Sequence, residues 1–220
     1  MSQRKLAYFT RQIASQGVEW LINETIDQLV FHITIKYRLG NCGSHSVIER
    51  PLTVANPRRI MIGEGTRIRR GAVLVVRADP YNGEARGTIQ IGNEVYIGRL
   101  CQIEANNRIE IQDDTLIADK VFISDHDHAY ADVYRPIRYQ GWTQGEPIRI
   151  GKGSWIGYGA CILSGVQIGE HSVVGAGSIV TKNIDSFTVV AGNPARVQKR
   201  WDRERLIWTN VSSTNPVNVR

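Results

Sequence analysis

The stretch 150–181 reads IGKGSWIGYGACILSGVQIGEHSVVGAGSIVT, and an aliphatic residue returns in it at every sixth position. The repeated residues are Ile150, Ile156, Ile162, Ile168, Val174 and Val180. A helix repeats its face about every 3.6 residues and a strand about every 2. A period of six therefore predicts a short straight segment, a corner and another short segment. Small glycines often follow the aliphatic residue, which favours tight corners. Hexapeptide repeats of this kind indicate a parallel β-helix.

The same repeat extends towards the N-terminus and predicts a triangular prism. Its earlier members are Ile48, Val54, Ile62, Ile68, Leu74, Ile91, Ile97, Ile103, Ile111, Ile117 and Ile123. Three repeats complete one coil. When the repeats are grouped in threes, every departure from a spacing of six falls between one group and the next. We therefore expect all insertions to leave the same corner of the prism, as repeat proteins tend to place insertions on one face.

The repeat divides the chain into three regions and predicts a mainly β protein. Residues 1–45 carry apolar positions at roughly helical spacing and are expected to form a helical cap, because the end of a solenoid otherwise exposes its core. A helix lying on a membrane surface is the alternative for this region. Residues 46–197 are expected to form the β-helix, with an inserted loop at 124–147. Residues 198–220 are expected to hold a polar tail after a short amphipathic helix over 197–208.

Composition narrows the classes of function. Cys42, Cys101 and Cys161 lie far apart, which favours reduced structural thiols in a cytoplasmic protein. No signal peptide is recognisable, and no apolar run approaches the roughly 20 residues that a membrane span needs. The net charge is +6, but no basic stripe with interleaved aromatics indicates nucleic-acid binding. The clusters at 67–70 and 199–205 are solvated faces or sites for an anionic cofactor, an anionic substrate or an acidic membrane surface, such as the inner face of the plasma membrane.

The longest insertion holds the densest group of reactive side chains. They are Asp125, His126, Asp127, His128, Tyr130 and Asp132. Two of the five histidines of the chain fall within three residues here. In an extended segment the two imidazoles point to one side and the two neighbouring carboxylates to the other. An imidazole with a carboxylate behind it suits a general base, whereas a polar loop tip rich in turn-forming Asp is the alternative.

Several segments of the chain resemble a known family. They are Pro147-Ile148-Arg149-Ile150-Gly151, Trp155-Ile156-Gly157, the run from Gly165 to Gly169, the run from Gly175 to Lys182, and the run from Ala191 to Val197. These segments resemble the hexapeptide-repeat acyltransferases with a left-handed parallel β-helix, especially sugar O-acetyltransferases related to the maltose and galactoside enzymes. The resemblance covers roughly Ile48 to Arg200. It implies a left-handed coil, acetyl-CoA as the acyl donor and a homotrimer with clefts between subunits.

The resemblance also implies roles for individual residues. His128 corresponds to the catalytic base, with His126 as the nearby competitor and Asp125 behind them. Residues matching the acyl and pantetheine pocket are Trp155, Gly157, Tyr158, Gly175 and Ala176, with the backbone N–H of Tyr158 placed to hold the oxyanion. Residues matching the contacts to the pyrophosphate and adenosine end of coenzyme A are Thr181, Lys182 and Arg196. Packing on a neighbouring subunit is the alternative for the tryptophan, and plain corner geometry is the alternative for the small residues.

The inserted loop departs from the simple family members and points to the acceptor. Those members have a short Thr-x-His-Pro type segment where this chain has Asp-His-Asp-His at 125–128. The long loop and N-terminal region are more similar to acetyltransferases of polysaccharide assembly, acting on O-antigen, capsule or exopolysaccharide sugars. We expect the loop to form the acceptor wall through Tyr130, Tyr134, Arg135 and Trp142, because aromatic rings suit the apolar face of a pyranose. The expected acceptor is a free or lipid-linked saccharide.

Other classes of function use the same architecture. N-acetylation of a nucleotide-linked amino sugar and acetylation of a xenobiotic are the nearest alternatives. A γ-class carbonic anhydrase would need three histidines on one zinc, for which His126, His128 and His171 are the candidates. The spacing does not match that pattern, so no metal is expected. A catalytically silent scaffold is the remaining class.

Overall fold

The computed structural model describes residues 25–26, 29–31, 34–80 and 82–211, and its strands form three sheets visited in turn along the chain. The first sheet contains β1 (Asn41–Cys42), β4 (Ile60–Ile62), β7 (Thr88–Ile91), β10 (Arg108–Ile111), β13 (Ile148–Ile150) and β16 (Gln167–Ile168). The second contains β2 (Val47–Ile48), β5 (Arg67–Ile68), β8 (Tyr96–Ile97), β11 (Leu116–Ile117), β14 (Trp155–Ile156), β17 (Val173–Val174), β19 (Thr188–Ala191), β20 (Arg196–Asp202) and β21 (Ile207–Asn210). The third contains β3 (Thr53–Ala55), β6 (Val73–Val76), β9 (Gln102–Ala105), β12 (Phe122–Ser124), β15 (Cys161–Ile162) and β18 (Ile179–Val180). This repeating order confirms a mainly β prism and is consistent with the left-handed parallel β-helix.

The sixth-position aliphatic residues form the core of the prism. In the second sheet Ile117 pairs with Ile156, and Ile156 pairs with Val174 in the next coil. Every repeat residue named from the sequence is buried except Val54, which is half-buried. Each coil therefore covers the apolar face of the next, and this burial stabilises the stack by about 25 cal/mol per Å² of apolar surface.

Close stacking at the corners explains the glycines of the repeat. A Cβ atom at Gly157 would lie 2.6 Å from the backbone nitrogen of Ala176 in the next coil. A Cβ atom at Gly175 would lie 2.9 Å from the Cβ of Ala191. Corner packing thus requires glycine at both positions, with or without a ligand beside them.

All insertions leave the corner that joins the third sheet to the first, which we call the third corner. The connecting segments there are 56–59, 77–87, 106–107 and 125–147. The first corner joins the first and second sheets, and the second corner joins the second and third. Both of these keep the hexapeptide spacing. The sequence prediction of a single insertion corner is therefore confirmed, and it places the two longest insertions on the same edge of the prism.

The N-terminal boundary differs slightly from the prediction. Asn41 and Cys42 already pair with β4, so the prism begins before the predicted boundary at residue 46. The described residues at 25–26, 29–31 and 34 are helical, and Phe31 is wholly buried in the core cluster. Most of the predicted cap, residues 1–24, lies outside the described residues. In the described part of the chain no helix has the length and apolarity needed to cross a membrane.

The predicted helix over 197–208 is wrong, because this segment forms a β-hairpin. β20 adds antiparallel to β19, and β21 pairs with β20. Trp201 and Trp208 face each other across the hairpin with ring centroids 5.5 Å apart. The open edge of β19 offers unpaired backbone groups that a strand satisfies and a helix does not. Pairing with this strand edge therefore outweighed the helical spacing of the apolar residues in the segment. Within the predicted polar tail, residues 212–220 lie outside the described range.

Candidate active site

The inserted loop folds back as an antiparallel ribbon with an irregular tip. The N–H of Ala129 donates to the carbonyl of Gly141, and the N–H of Thr143 donates to that of Asp127. His128 and Trp142 form the bridge between these two bonds. The tip carries a short 3₁₀ turn at Ile137–Tyr139. The loop therefore has a formed stem, and the stem holds both histidines near the third corner.

Asp125 anchors the stem to the prism. Its side chain is wholly buried, and its carboxylate accepts hydrogen bonds from the backbone N–H groups of Asn106 and Asn107 at 2.7 and 2.9 Å. These two residues form the short turn of the preceding coil. Their side-chain amides donate in turn to the carbonyls of Thr143 and Gly145. The fixed carboxylate thus lies at the base of the loop with one further contact, to His126.

His126 has the geometry of an oriented base. Its Nδ1 lies 3.1 Å from Oδ1 of Asp125, and the residue is 5% exposed. A carboxylate only accepts, so Nδ1 carries the proton and the lone pair is on Nε2. Nε2 has no hydrogen bond within the described residues. Nε2 is therefore the ring nitrogen whose lone pair is not engaged by another described residue.

His128 packs against Trp142 at a tilt of 36°, and its ring makes no hydrogen bond to another described residue. Its ring centroid lies 4.1 Å from that of Trp142, and the side chain is exposed. Trp142 also meets His126 edge to face at 5.3 Å. On this indole lies the guanidinium of Arg77, 4.7 Å from the ring centroid, and Arg77 pairs with the buried carboxylate of Glu104. Trp142 therefore connects both histidines to a charged pair on the third sheet.

Trp142 also lines a cleft of about 420 Å³, and neither histidine is among the residues that line it. Its floor is the Asn106–Asn107 turn, one wall is the stem of the inserted loop, and the other wall is the 77–87 insertion. The residues that line it are Asp79, Pro80, Glu84, Arg86, Asn106, Asn107, Gln140, Gly141, Trp142, Thr143 and Gln144.

Only part of the predicted acceptor wall reaches this cleft. Trp142 lines it, but Tyr130, Tyr134 and Arg135 do not. Tyr130 is 70% exposed and Tyr134 is 96% exposed, both towards the loop tip. The tip is organised by Gln140, whose amide donates to the carbonyls of Asp132 and Arg135. The structure thus brings the histidines and Trp142 together, and the other three residues do not line the cleft.

The residues matching the acyl pocket lie at a different corner. Trp155 is on the outer face of the second sheet, while Tyr158 and Ala176 are at the second corner. The third sheet separates them from the histidines, by roughly 15 Å for a segment of about five residues. Trp155 and Tyr158 are each about half exposed. A single chain therefore does not bring this group to His126 and His128.

The residues matching the distal end of coenzyme A do converge. A cleft of about 270 Å³ is lined by Thr181, Lys182, Arg196 and Arg200, among other residues. Arg200 pairs with Asp185 at 2.9 Å, whereas Lys182 makes no ion pair within the described part of the chain. A cluster of cations beside a threonine hydroxyl suits phosphate oxygens.

Sequence reasoning missed the 77–87 insertion as part of the site. Arg77 and Glu84 stand in no recognisable motif, and acidic residues beside Asn82 and Gly83 are typical of an ordinary turn. One signal was available, because two long insertions that leave the same corner in nearby coils must lie side by side.

The structure separates the three histidines of the carbonic-anhydrase alternative. His171 lies at the first corner, where its ring stacks on Phe187 at 5.6 Å, and the other two lie at the third corner. Within the described residues no group of three or more His, Cys, Asp and Glu side chains could hold a metal ion. The three cysteines are all free thiols.

Comparisons with known proteins agree with the hexapeptide signature. Residues 147–182 match the family model described as bacterial transferase hexapeptide (six repeats). WbbJ of Escherichia coli K12, named for O-acetyl transfer in lipopolysaccharide biosynthesis, is 31% identical over 168 residues, covering 74% of this chain and 82% of WbbJ. Galactoside O-acetyltransferase of the same organism is 41% identical over 109 residues, covering 50% of this chain and 52% of that enzyme. A Mycobacterium tuberculosis protein named as an acetyltransferase is 37% identical over 122 residues. The match covers 56% of this chain and only 39% of the Mycobacterium protein.

Solved structures show the same fold. A maltose O-acetyltransferase from Clostridium difficile superposes with a TM-score of 0.53 at 26% identity, over 78% of this chain and 75% of that one. AntD, an N-acyltransferase from Bacillus cereus in complex with dTDP and 3-hydroxybutyryl-CoA, gives a TM-score of 0.63 at 23% identity, over 77% of this chain and 87% of AntD. The similarity across most of the length of WbbJ, together with the repeat and the prism it forms, shows that this chain belongs to the hexapeptide-repeat acetyltransferase family.

Proposed function

We propose that the protein transfers an acetyl group from acetyl-CoA to a sugar hydroxyl, as an O-acetyltransferase of polysaccharide assembly. The observation that carries the proposal is the buried Asp125–His126 pair at the base of the inserted loop, whose imidazole meets Trp142 edge to face. The names of WbbJ and of galactoside O-acetyltransferase support the same reaction class.

The proposed reaction is a direct attack within a ternary complex. A sugar hydroxyl is a weak nucleophile at neutral pH, but a thioester is an activated acyl donor. The base takes the hydroxyl proton as the oxygen bonds to the acetyl carbon. The C–S bond then breaks, and the same base returns the proton to the departing thiolate. A positioned base of this kind contributes about 10²- to 10⁴-fold in rate.

Geometry favours His126 over His128 as this base. Asp125 fixes the tautomer and the orientation of His126. The ring of His128 has no hydrogen-bond partner within the described residues, so its tautomer is not fixed. Its orientation is constrained only by packing against Trp142. We therefore propose His126 as the base and His128 as a residue at the entrance to it. The assignment of His128 from the family resemblance is kept as the competing hypothesis.

The donor site is proposed to need more than one subunit. Thr181, Lys182 and Arg196 would hold the phosphates of coenzyme A at one end. Trp155 and Tyr158 would border the acyl end, but they lie on the second sheet and at the second corner of the prism. A neighbouring copy would bring its own second corner to the third corner of the first, which a homotrimer satisfies three times. The exposure of Trp155 and Tyr158 supports such an interface.

The test is release of free thiol from acetyl-CoA by the full chain. The panel contains neutral sugars, amino sugars, nucleotide-linked sugars and lipid-linked oligosaccharides. We expect thiol release to rise at least tenfold over the rate without acceptor for sugars that offer hydroxyls, with an O-acetyl ester in the product. Thiol release with an amide product would instead support the N-acetyltransferase alternative. If no acceptor raises thiol release while coenzyme A binds, the proposed reaction is contradicted.

A further inference from the structure

We propose that the cleft between the 77–87 insertion and the inserted loop is the acceptor site, and that its acidic lining selects a sugar ring without anionic substituents. The inference rests on the proposed acetyl transfer, because the cleft shares Trp142 with the two histidines. Its volume of about 420 Å³ falls within the range of small-molecule sites.

The insertion that supplies the second wall is a formed hairpin. Ala78 and Ala85 form an antiparallel bridge, and the N–H of Asp79 donates to the carbonyl of Glu84 at 2.8 Å. The N–H of Glu84 is in turn bonded to the side-chain oxygen of Asn82 at 2.8 Å. The backbone at both carboxylates is therefore fixed before any ligand arrives, which lowers the ordering cost of binding.

The hairpin and the loop are also coupled at their bases. Arg77, the first residue of the insertion, lies 4.7 Å over the ring of Trp142 and is paired with Glu104. Since Trp142 contacts His126 and His128 on the loop side, the cleft wall and the proposed base share one indole. A ring bound in the cleft would thus contact the same indole that His126, the proposed base, contacts.

The charges of the lining disfavour an anionic ligand. Asp79 and Glu84 contribute −2 and Arg86 contributes +1, a net charge of −1. The guanidinium of Arg86 is already paired, with Nη2 2.9 Å from Oε2 of Glu84. A phosphate or carboxylate on the ligand would therefore meet net repulsion and no unpaired cation among the described lining residues.

The hydrogen-bonding groups of the lining are mostly acceptors. The side-chain NH₂ groups of Asn106 and Asn107 already donate to carbonyls of the loop. The side-chain oxygens of the two asparagines are therefore the groups that they can offer to a ligand. Two carboxylates add further acceptors, and hydroxyl donors to a carboxylate form strong, charge-assisted bonds. This lining fits the hydroxyls of a neutral sugar, or the ammonium of an amino sugar, in the cleft beside Trp142.

Binding of the full chain to an immobilised glycan panel tests the inference without requiring catalysis. The panel holds neutral, amino, sialylated and phosphorylated glycans, and coenzyme A is present throughout. We expect neutral or amino glycans to be bound in preference to acidic ones. Glu84→Lys changes the lining charge from −1 to +1 and should raise the ratio of acidic to neutral binding at least tenfold.

The matched control is Glu110→Lys. Glu110 pairs with Arg108 at the same 2.9 Å distance but lies on the first sheet, outside the cleft, so the ratio should not change. Thermal melting checks that each variant folds. If Glu84→Lys does not fold, Glu84→Gln should shift the ratio in the same direction by a smaller factor.

Three results would overturn the inference: preferred binding of acidic glycans by the wild type, no binding to any glycan of the panel, or an unchanged ratio in the folded Glu84 variants. Thiol release from acetyl-CoA, measured in parallel, separates the two proposals. Neutral glycan binding without thiol release contradicts the acetyl transfer and leaves the cleft inference standing. Thiol release together with an unchanged ratio of acidic to neutral glycan binding in the Glu84 variants contradicts the cleft inference and leaves the acetyl transfer standing.

Discussion

Replacing Asp125 by asparagine tests whether the buried carboxylate both holds the loop and orients His126. The carboxylate accepts three hydrogen bonds, from the N–H groups of Asn106 and Asn107 and from Nδ1 of His126. Asparagine replaces one carboxylate oxygen by an NH₂ group, which then faces one of these donors and cannot accept its hydrogen bond. A hydrogen bond to a charged group is worth about 1.5–3 kcal/mol. We expect a destabilisation of about 2 kcal/mol, which lowers the melting temperature by about 4–8 °C for a chain of this size.

The same change should impair catalysis more than it impairs folding. An amide can donate to Nδ1 of His126, which favours the tautomer whose Nε2 carries the proton and cannot act as a base. We expect kcat for acetyl transfer to fall by about 10²- to 10³-fold, equivalent to roughly 2.7–4.1 kcal/mol of barrier. Affinity for coenzyme A should be unchanged, because the residues proposed to hold it lie in a separate cleft.

The assay combines thiol release, calorimetric coenzyme A titration and thermal melting on Asp125→Asn. Its control is Asp127→Asn, a neighbouring carboxylate that is exposed and makes no side-chain hydrogen bond within the described residues. The control should keep kcat within about twofold and melt like the wild type. A folded Asp125→Asn protein with kcat within about threefold of the wild type would refute the role of this carboxylate.

Further predictions concern the donor site, the core and the buried thiol. Lys182→Ala and Arg196→Ala should each weaken coenzyme A binding in calorimetry with little change in kcat. Lys199 lies outside the cleft that contains these two residues, so Lys199→Ala should leave coenzyme A affinity unchanged. Unchanged affinity in both the Lys182 and the Arg196 variant would remove these residues from the site. Ile156→Ala, at a wholly buried ladder position, should cost about 2–5 kcal/mol in urea unfolding, and a cost below about 1 kcal/mol would contradict the stacked core. Burial raises the pKa of the Cys101 thiol to about 11, so it should resist iodoacetamide at pH 8 in the folded protein, and rapid labelling without unfolding would disprove its burial. Because the unfolded chain loses that proton from about pH 9.0 and the folded chain only near pH 11, Cys101 should make stability fall as the pH rises through this window; an equal fall in Cys101→Ala would show another cause.

Most of the fold could be predicted because its period is written directly in the sequence. The ladder residues face the core in every coil, and nothing else competes for a strict spacing of six. The C-terminal segment could not be predicted this way. Trp201 and Trp208 fit a helical face as well as a cross-strand pair, and the choice was made by the free edge of β19, a tertiary feature.

The candidate site was predictable only for residues close together in sequence. Asp125, His126 and His128 stand in one short run, so their proximity needed no fold. Their roles depended on burial, since Asp125 faces backbone N–H groups of another coil and contacts one histidine and not the other. Arg77 joins Trp142 across 65 residues, and such a contact follows only from the register of the coils.

The most direct measurement of the central claim is the turnover of His126→Ala beside that of His128→Ala, by thiol release from acetyl-CoA with a saturating acceptor. Both variants should fold and bind coenzyme A like the wild type. If the base is the histidine oriented by Asp125, His126→Ala loses about 10²- to 10⁴-fold in kcat, and His128→Ala loses less than about tenfold. The opposite order, with His128→Ala inactive and His126→Ala near the wild-type rate, would contradict the account and return the base to His128.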